Sequence, residues 1–142
     1  MNTDKTYEIL LKLLEIEQNR INTLDSTIFT IKSIAITLVS ALVGFAFQEK
    51  NRLLLYIGIV ATIFFTIINF IYRKVQLSHV ERAGNIQKYL KIEYLDSIEA
   101  LRNPLRNFGD YKKNLLKDYS PIFLIYFPLI IILIILSTLD YK

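Results

Sequence analysis

Three apolar runs, Ser26 to Phe47, Leu53 to Tyr72 and Pro121 to Leu139, constrain this chain more than any other feature. Each approaches the roughly 20 residues that a helix needs to cross about 30 Å of hydrocarbon. In lipid no water is at hand for backbone N–H and C=O groups, so an open chain can cross only as helix. The runs therefore predict an all-α integral membrane protein with three transmembrane helices. Hydrophobic residues make up 53% of the 142, more than an ordinary soluble domain carries. The first run follows a charged segment long enough to be a helix itself and has no small-residue cleavage pattern after it. That predicts a span retained in the mature protein and not a secretory leader.

Charge sets the expected orientation. Ten of the seventeen Lys and Arg fall between Arg73 and Lys117, and the positive-inside bias places such a segment in the cytoplasm. The N-terminus is then inside, while the Glu49 to Arg52 turn and the tail Asp140 to Lys142 are outside; Lys50 and Arg52 run against the bias. The organisation this implies is a cytoplasmic amphipathic helix over 1–25, a two-span hairpin over 26–72, a cytoplasmic helix and basic linker over 73–119, and a third span with a short tail over 120–142. Between Asp4 and Gly44 neither Pro nor Gly interrupts the sequence, which predicts one long helix.

Apolar periodicity marks two further faces outside the spans. Tyr7, Leu10, Leu14, Ile21 and Leu24 share one side of the first helix. Its polar side is as acidic as it is basic, so packing on the chain's own cytoplasmic part is favoured over binding a membrane surface. Ala83, Ile86, Leu90, Tyr94, Ile98 and Leu101 form the second face, on a continuation of the second span that Asn103-Pro104 ends. Gly109-Asp110 reads as a turn, with Asp110 capping a short headgroup helix YKKNLLKDY. Ser120-Pro121 reads as cap and first position of the third span. Within its stretch IFLIYFPLIIILIIL only Tyr126 and Pro128 break the apolar run, so most of its circumference is expected to face lipid, with a kink at Pro128.

Two polar rows lie within the spans. At about 100° per residue Ser26, Thr30, Ser33, Thr37, Ser40, Gly44 and Gln48 fall inside an arc of roughly 80°. Gly58, Thr62, Thr66, Asn69 and Arg73 repeat the pattern on the second span. Folded about Asn51 the rows register, with Gly44 opposite Gly58, Ser40 opposite Thr62 and Ser33 opposite Asn69. Two readings of the first row stand. It is a hairpin seam, in which small residues allow close approach and hydroxyls bond across the helices, or it lines a pore. Asn69, with four bonding sites, asks for more partners than Ser33 offers, so water or a neighbouring subunit is expected to supply the rest.

Lys32 lies about 80° off the row and roughly 8 to 9 Å into the span, within reach of the headgroups for a snorkelling side chain. Its alternative role is ion selection or gating. Arg73, Lys74, Arg82, Lys88 and Lys91, with Lys112, Lys113 and Lys117 after them, form a candidate phosphate-binding set for a soluble ligand such as a nucleotide or oligonucleotide. Lipid headgroups and the positive-inside bias account for the same charges. With one histidine, no cysteine, no Gly-rich phosphate loop and no Asp or Glu inside the spans, no catalytic constellation presents itself, and neither an enzyme nor a cofactor is expected.

The stretches TIFTIKSIAITLVSALVGF, QEKNR, LLLYIGIVATIFFTIINFIY and RKVQLSHVERAGNIQKYLKIEYL together resemble the SLATT group of bacterial two-span effectors. The likeness covers about the first two-thirds of the chain and rests on layout; the third span is additional to it. It implies an inner-membrane effector of antiphage defence that permeabilises the membrane when a nucleotidyltransferase or other soluble sensor signals. A homo-oligomeric channel gated through its cytoplasmic helices is the leading expectation, since three helices cannot enclose a pore alone. A non-conducting adaptor for a soluble partner is the alternative. A phage holin fits the size and span count but not the large cytoplasmic segment.

Overall fold

The computed structural model describes residues 3–95 and 114–138. Among them the chain is almost entirely helical, with no strand. Helix α1 spans Thr3–Gln48, α2 spans Leu53–Leu90 and runs on into a π-helical turn at Lys91–Leu95, and α3 spans Leu115–Thr138. All three are long and apolar enough to cross a membrane, which makes this a multi-pass membrane protein. At 1.5 Å per residue the 46 residues of α1 reach about 69 Å, more than twice the roughly 30 Å of a hydrocarbon core, so much of the helix lies beyond it. The expected unbroken first helix is present.

Local chemistry sets the helix ends. Lys50 takes a positive φ of 50°, while the Glu49 N–H donates to the Phe45 carbonyl at 2.9 Å and the Asn51 N–H to the Ala46 carbonyl at 3.1 Å. This is a helix stop with a left-handed residue just past the end, a place usually given to glycine. Asn51 then opens α2, its Oδ1 accepting from the Leu53 N–H at 3.0 Å.

Helix α3 begins earlier than Ser120-Pro121. Asn114 caps it by accepting from the Lys117 N–H at 3.3 Å, and Asp118 reaches back to accept from the Asn114 N–H at 3.0 Å. Pro121 is tolerated inside the helix because the Lys117 carbonyl, which its missing N–H cannot serve, accepts from the Ser120 hydroxyl at 3.1 Å. The 114–119 part of the expected headgroup helix thus belongs to α3 and its cap. Ile98, Leu101, the Asn103-Pro104 stop, the Gly109-Asp110 turn with its Asp110 cap, Lys112, Lys113 and the tail from Asp140 lie outside the described residues.

Contacts divide the chain into two units, Met1–Asp25 with Lys74–Lys113 and Ser26–Arg73 with Asn114–Lys142. In the first, α1 and α2 pair through the apolar faces read from periodicity. Tyr7 and Tyr94 meet at 5.0 Å between ring centroids, and Leu77, Ala83 and Leu90 are buried. A polar layer interrupts this seam, where Glu17 holds His79 at 2.5 Å and the Gln76 amide donates to the Ile21 carbonyl at 3.4 Å.

The second unit is a three-helix pack with two apolar clusters. Val39, Ala46, Leu55 and Leu133 form one; Ala35, Ile122 and Tyr126 form the other. Around them Phe29, Val60, Phe64, Phe123, Leu124 and Phe127 point outward. Such an apolar exterior suits lipid, whereas a soluble monomer rarely exposes so much.

Candidate functional site

In the second unit α1 turns Ile28, Ala35, Val39 and Ala46 inward at steps of seven, four and seven. That choice decides where its polar row goes. Ser26, Thr30, Ser33, Thr37, Ser40 and Gly44 are all exposed, and among the described residues no neighbouring helix or side chain approaches within 4 Å of where a Gly44 side chain would begin. Thr30 donates to the Ser26 carbonyl at 3.0 Å and Ser33 to the Phe29 carbonyl at 3.1 Å. Bonding backwards uses the proton of each hydroxyl and leaves oxygen lone pairs directed outward. The helix therefore presents acceptors at Thr30 and Ser33, within a line of small polar side chains, to whatever lies beside it.

The second row does the reverse. Gly58, Thr62 and Asn69 are buried and Thr66 and Arg73 half-buried, but the register expected between the two rows does not occur. A Cβ on Gly58 would meet Leu133 of α3 at 3.4 Å and Leu42 of α1 at 3.8 Å, with Gly44 elsewhere. The Asn69 amide donates to the Tyr126 hydroxyl of α3 at 3.1 Å, and not to Ser33. Arg73 Nε donates to the Asp118 carbonyl at 2.9 Å, and Phe70 stacks on Tyr119 at 4.7 Å. The covering element is thus the third helix. Much of α3 is exposed as expected, yet a stripe of Ile122, Tyr126, Leu133 and Ser137 is buried. Thr62 and Thr66 satisfy themselves on the Gly58 and Thr62 carbonyls, both at 2.7 Å.

Asn69 keeps one unmet group. It is fully buried, and its Oδ1 has no hydrogen-bond donor among the described residues. Exchanging the amide's oxygen and nitrogen only moves the deficit to the other atom.

Lys32 is half-buried and stands on the packing side of α1, between Ile28 and Ala35, away from the exposed row. Of the candidate phosphate ligands, Lys74, Arg82 and Lys88 are exposed, Lys91 is half-buried, and Arg73 is engaged with Asp118. The groove in the first unit, about 420 Å³, is lined by Ile16, Asn19, Arg20, Thr23, Leu24, Val75 and His79. Its two basic side chains both face Glu17, Arg20 at 3.8 Å and His79 at 2.5 Å. The Glu17 to His79 pair was readable in principle. Position 17 completes the spacing 7, 10, 14, 21 and 24, and an acid on an apolar face needs a partner.

No protein-family model matches the chain. No curated protein and no solved structure matches it either.

Proposed function

We propose that the chain is a homo-oligomeric channel or pore-forming effector of a bacterial inner membrane, of the kind used in antiphage defence. In this reading the N-terminus and the first unit are cytoplasmic, the C-terminus is outside, and the first unit passes on a signal such as a nucleotide or the touch of a soluble sensor. The exposed hydroxyl row of α1 carries the proposal. A helix that packs through Ile28, Ala35, Val39 and Ala46 while leaving Thr30, Ser33, Thr37, Ser40 and Gly44 open has a polar face that suits water or a neighbouring subunit better than acyl chains. Back-bonded hydroxyls lower the cost of facing lipid at single positions. An unbroken row through the whole span still favours an assembly.

Three helices enclose no aqueous path, so the path requires several copies arranged with α1 toward a common axis. Outward lone pairs on Thr37 and Ser40 would then replace part of an ion's hydration. Lys32, on the packing side of α1, would act on ion choice only at a distance. Replacing Thr37 or Ser40 by Leu should abolish ion flux from the purified protein in liposomes while leaving the oligomer intact. Undiminished flux from either variant removes the pore assignment.

A second reading, a non-conducting adaptor, has its own support in the first unit. Ile9, Leu11 and Leu13 on α1, with Tyr89 on α2 and Ile92 just after it, are exposed large apolar side chains on a part of the chain rich in charge. A soluble partner would cover them. Leu90 and Tyr94 serve the internal seam instead, so the discriminating change is Leu11→Asp with Tyr89→Asp. Loss of a co-purifying protein with flux unchanged would favour the adaptor.

A further inference from the structure

Helix α3 is fastened to its neighbours by an apolar cluster on each side of Pro128, and on the N-terminal side polar and aromatic contacts are added. On the C-terminal side of Pro128, Leu133 is wholly buried against Val39, Ala46 and Leu55 and approaches the Gly58 backbone. That contact is dry and close, and such packing gives way only as a whole. On the N-terminal side the contacts with α2 are largely polar or aromatic: Tyr126 with Asn69, Tyr119 with Phe70, and the Asp118 carbonyl with Arg73. These groups can exchange their partners for water at small net cost. One of them gains by doing so, since Asn69 Oδ1 is sealed from solvent with no donor among the described residues. Pro128 supplies the third ingredient, because it cannot give the Leu124 carbonyl its helical hydrogen bond.

We propose that residues 115–127 of α3 form a lid that pivots at Pro128 and alternately covers and hydrates the Asn69 to Arg73 stretch of α2. In the closed form Tyr126 and Ile122 lie on Ala35, and the Asn69 amide is half satisfied. In the open form water completes the amide and reaches Arg73. The covered state is thus held by packing against a built-in polar deficit, so a modest push is enough to lift it. The lid's existence does not depend on the channel reading; its effect on ion flux does.

Two substitutions of opposite sign test it. Tyr126→Phe alone leaves both ends of the amide unmatched in the closed form and shifts the balance toward open. Adding Asn69→Leu removes the polar group from both helices and shifts it back past wild type toward closed. Each shift should be roughly 5- to 100-fold in the closed-to-open ratio, the range for one unmatched buried polar group. The chain has no cysteine, so spin labels on Ile71→Cys and Ser120→Cys report the lid, and on Ile57→Cys and Ile134→Cys the fixed end. In liposomes the lid pair should show two distances, the longer enriched by Tyr126→Phe, lost in the double variant and reduced by Pro128→Ala, with the fixed pair unchanged throughout. A single unchanging distance for the lid pair overturns the proposal. So does a double variant at least as open as Tyr126→Phe, the result expected of an ordinary interhelical bond. Flux that follows the longer distance links the lid to conduction. A protein whose lid distances shift as described while no variant conducts removes the channel and leaves the lid.

Discussion

Putting the same residue in place of two glycines separates the rows of α1 and α2. Gly58→Leu introduces a side chain where the first carbon already stands 3.4 Å from Leu133 Cδ2, 3.6 Å from its Cδ1 and 3.8 Å from Leu42 Cδ1. A Cβ alone fits at those distances; the remaining three carbons do not. Overpacking of this kind costs about 1–3 kcal/mol, against which replacing a helical glycine returns about 0.5–1 kcal/mol. The net expectation is a loss of about 1 kcal/mol within a range of about 0–2.5 kcal/mol. A Cβ at Gly44 meets nothing within 4 Å among the described residues, so Gly44→Leu keeps only the helical gain of about 0.5–1 kcal/mol. Thermal unfolding followed by circular dichroism, in a detergent harsh enough to hold the protein as single chains, should therefore rank Gly44→Leu above wild type and Gly58→Leu below it. In a mild detergent the order of assembly should invert, with Gly44→Leu weakening the oligomer because it alters the exposed row. Equal destabilisation by both, or a tolerated Gly58→Leu beside a destabilised Gly44→Leu, would refute the packing described.

Other consequences are smaller or more local. Among the described residues His79→Ala leaves the carboxylate of Glu17, mostly buried, with only Arg20 at 3.8 Å; it should cost about 2–4 kcal/mol, whereas Glu17→Leu with His79→Leu should be near neutral or stabilising. A double-mutant cycle by chemical unfolding checks this, and a coupling under about 0.5 kcal/mol would count against it. Lys50→Gly removes a side chain from a left-handed residue at φ 50° and should add about 0.5–1 kcal/mol, read as a higher unfolding midpoint. Asn114→Ala takes away the α3 cap on the Lys117 N–H and should cost about 0.5–2 kcal/mol, visible as faster amide exchange at Leu116 and Lys117.

The helices were the legible part of the fold, because length, hydrophobicity and the lack of Pro or Gly from Asp4 to Gly44 leave few alternatives. Which face of each helix turns inward was less so. Ser33 opposite Asn69 and Tyr126 opposite Asn69 satisfy the same row, and periodicity cannot say which neighbouring helix supplies the partner. The contest went to α3, since Ile122, Tyr126, Leu129 and Leu133 interlock with Ala35 and Val39 at helical spacing. Tyr126 carried the signal as the one hydroxyl in a long apolar run. The start of α3 was misplaced for a different reason. Ser120-Pro121 is a good cap by composition, but Asn114 with Asp118 offers two reciprocal bonds and Ser120 repairs the carbonyl that Pro121 leaves open.

Cysteine scanning of residues 27–47 on this cysteine-free chain, in liposomes and with a charged maleimide, bears on the exposed row most directly. Positions 30, 33, 37, 40 and 44 should react in step and reduce ion flux as they do, while 28, 35, 39 and 46 stay protected. An inert row in a protein that migrates as one subunit would mean that these side chains rest against lipid, and the channel would have no wall.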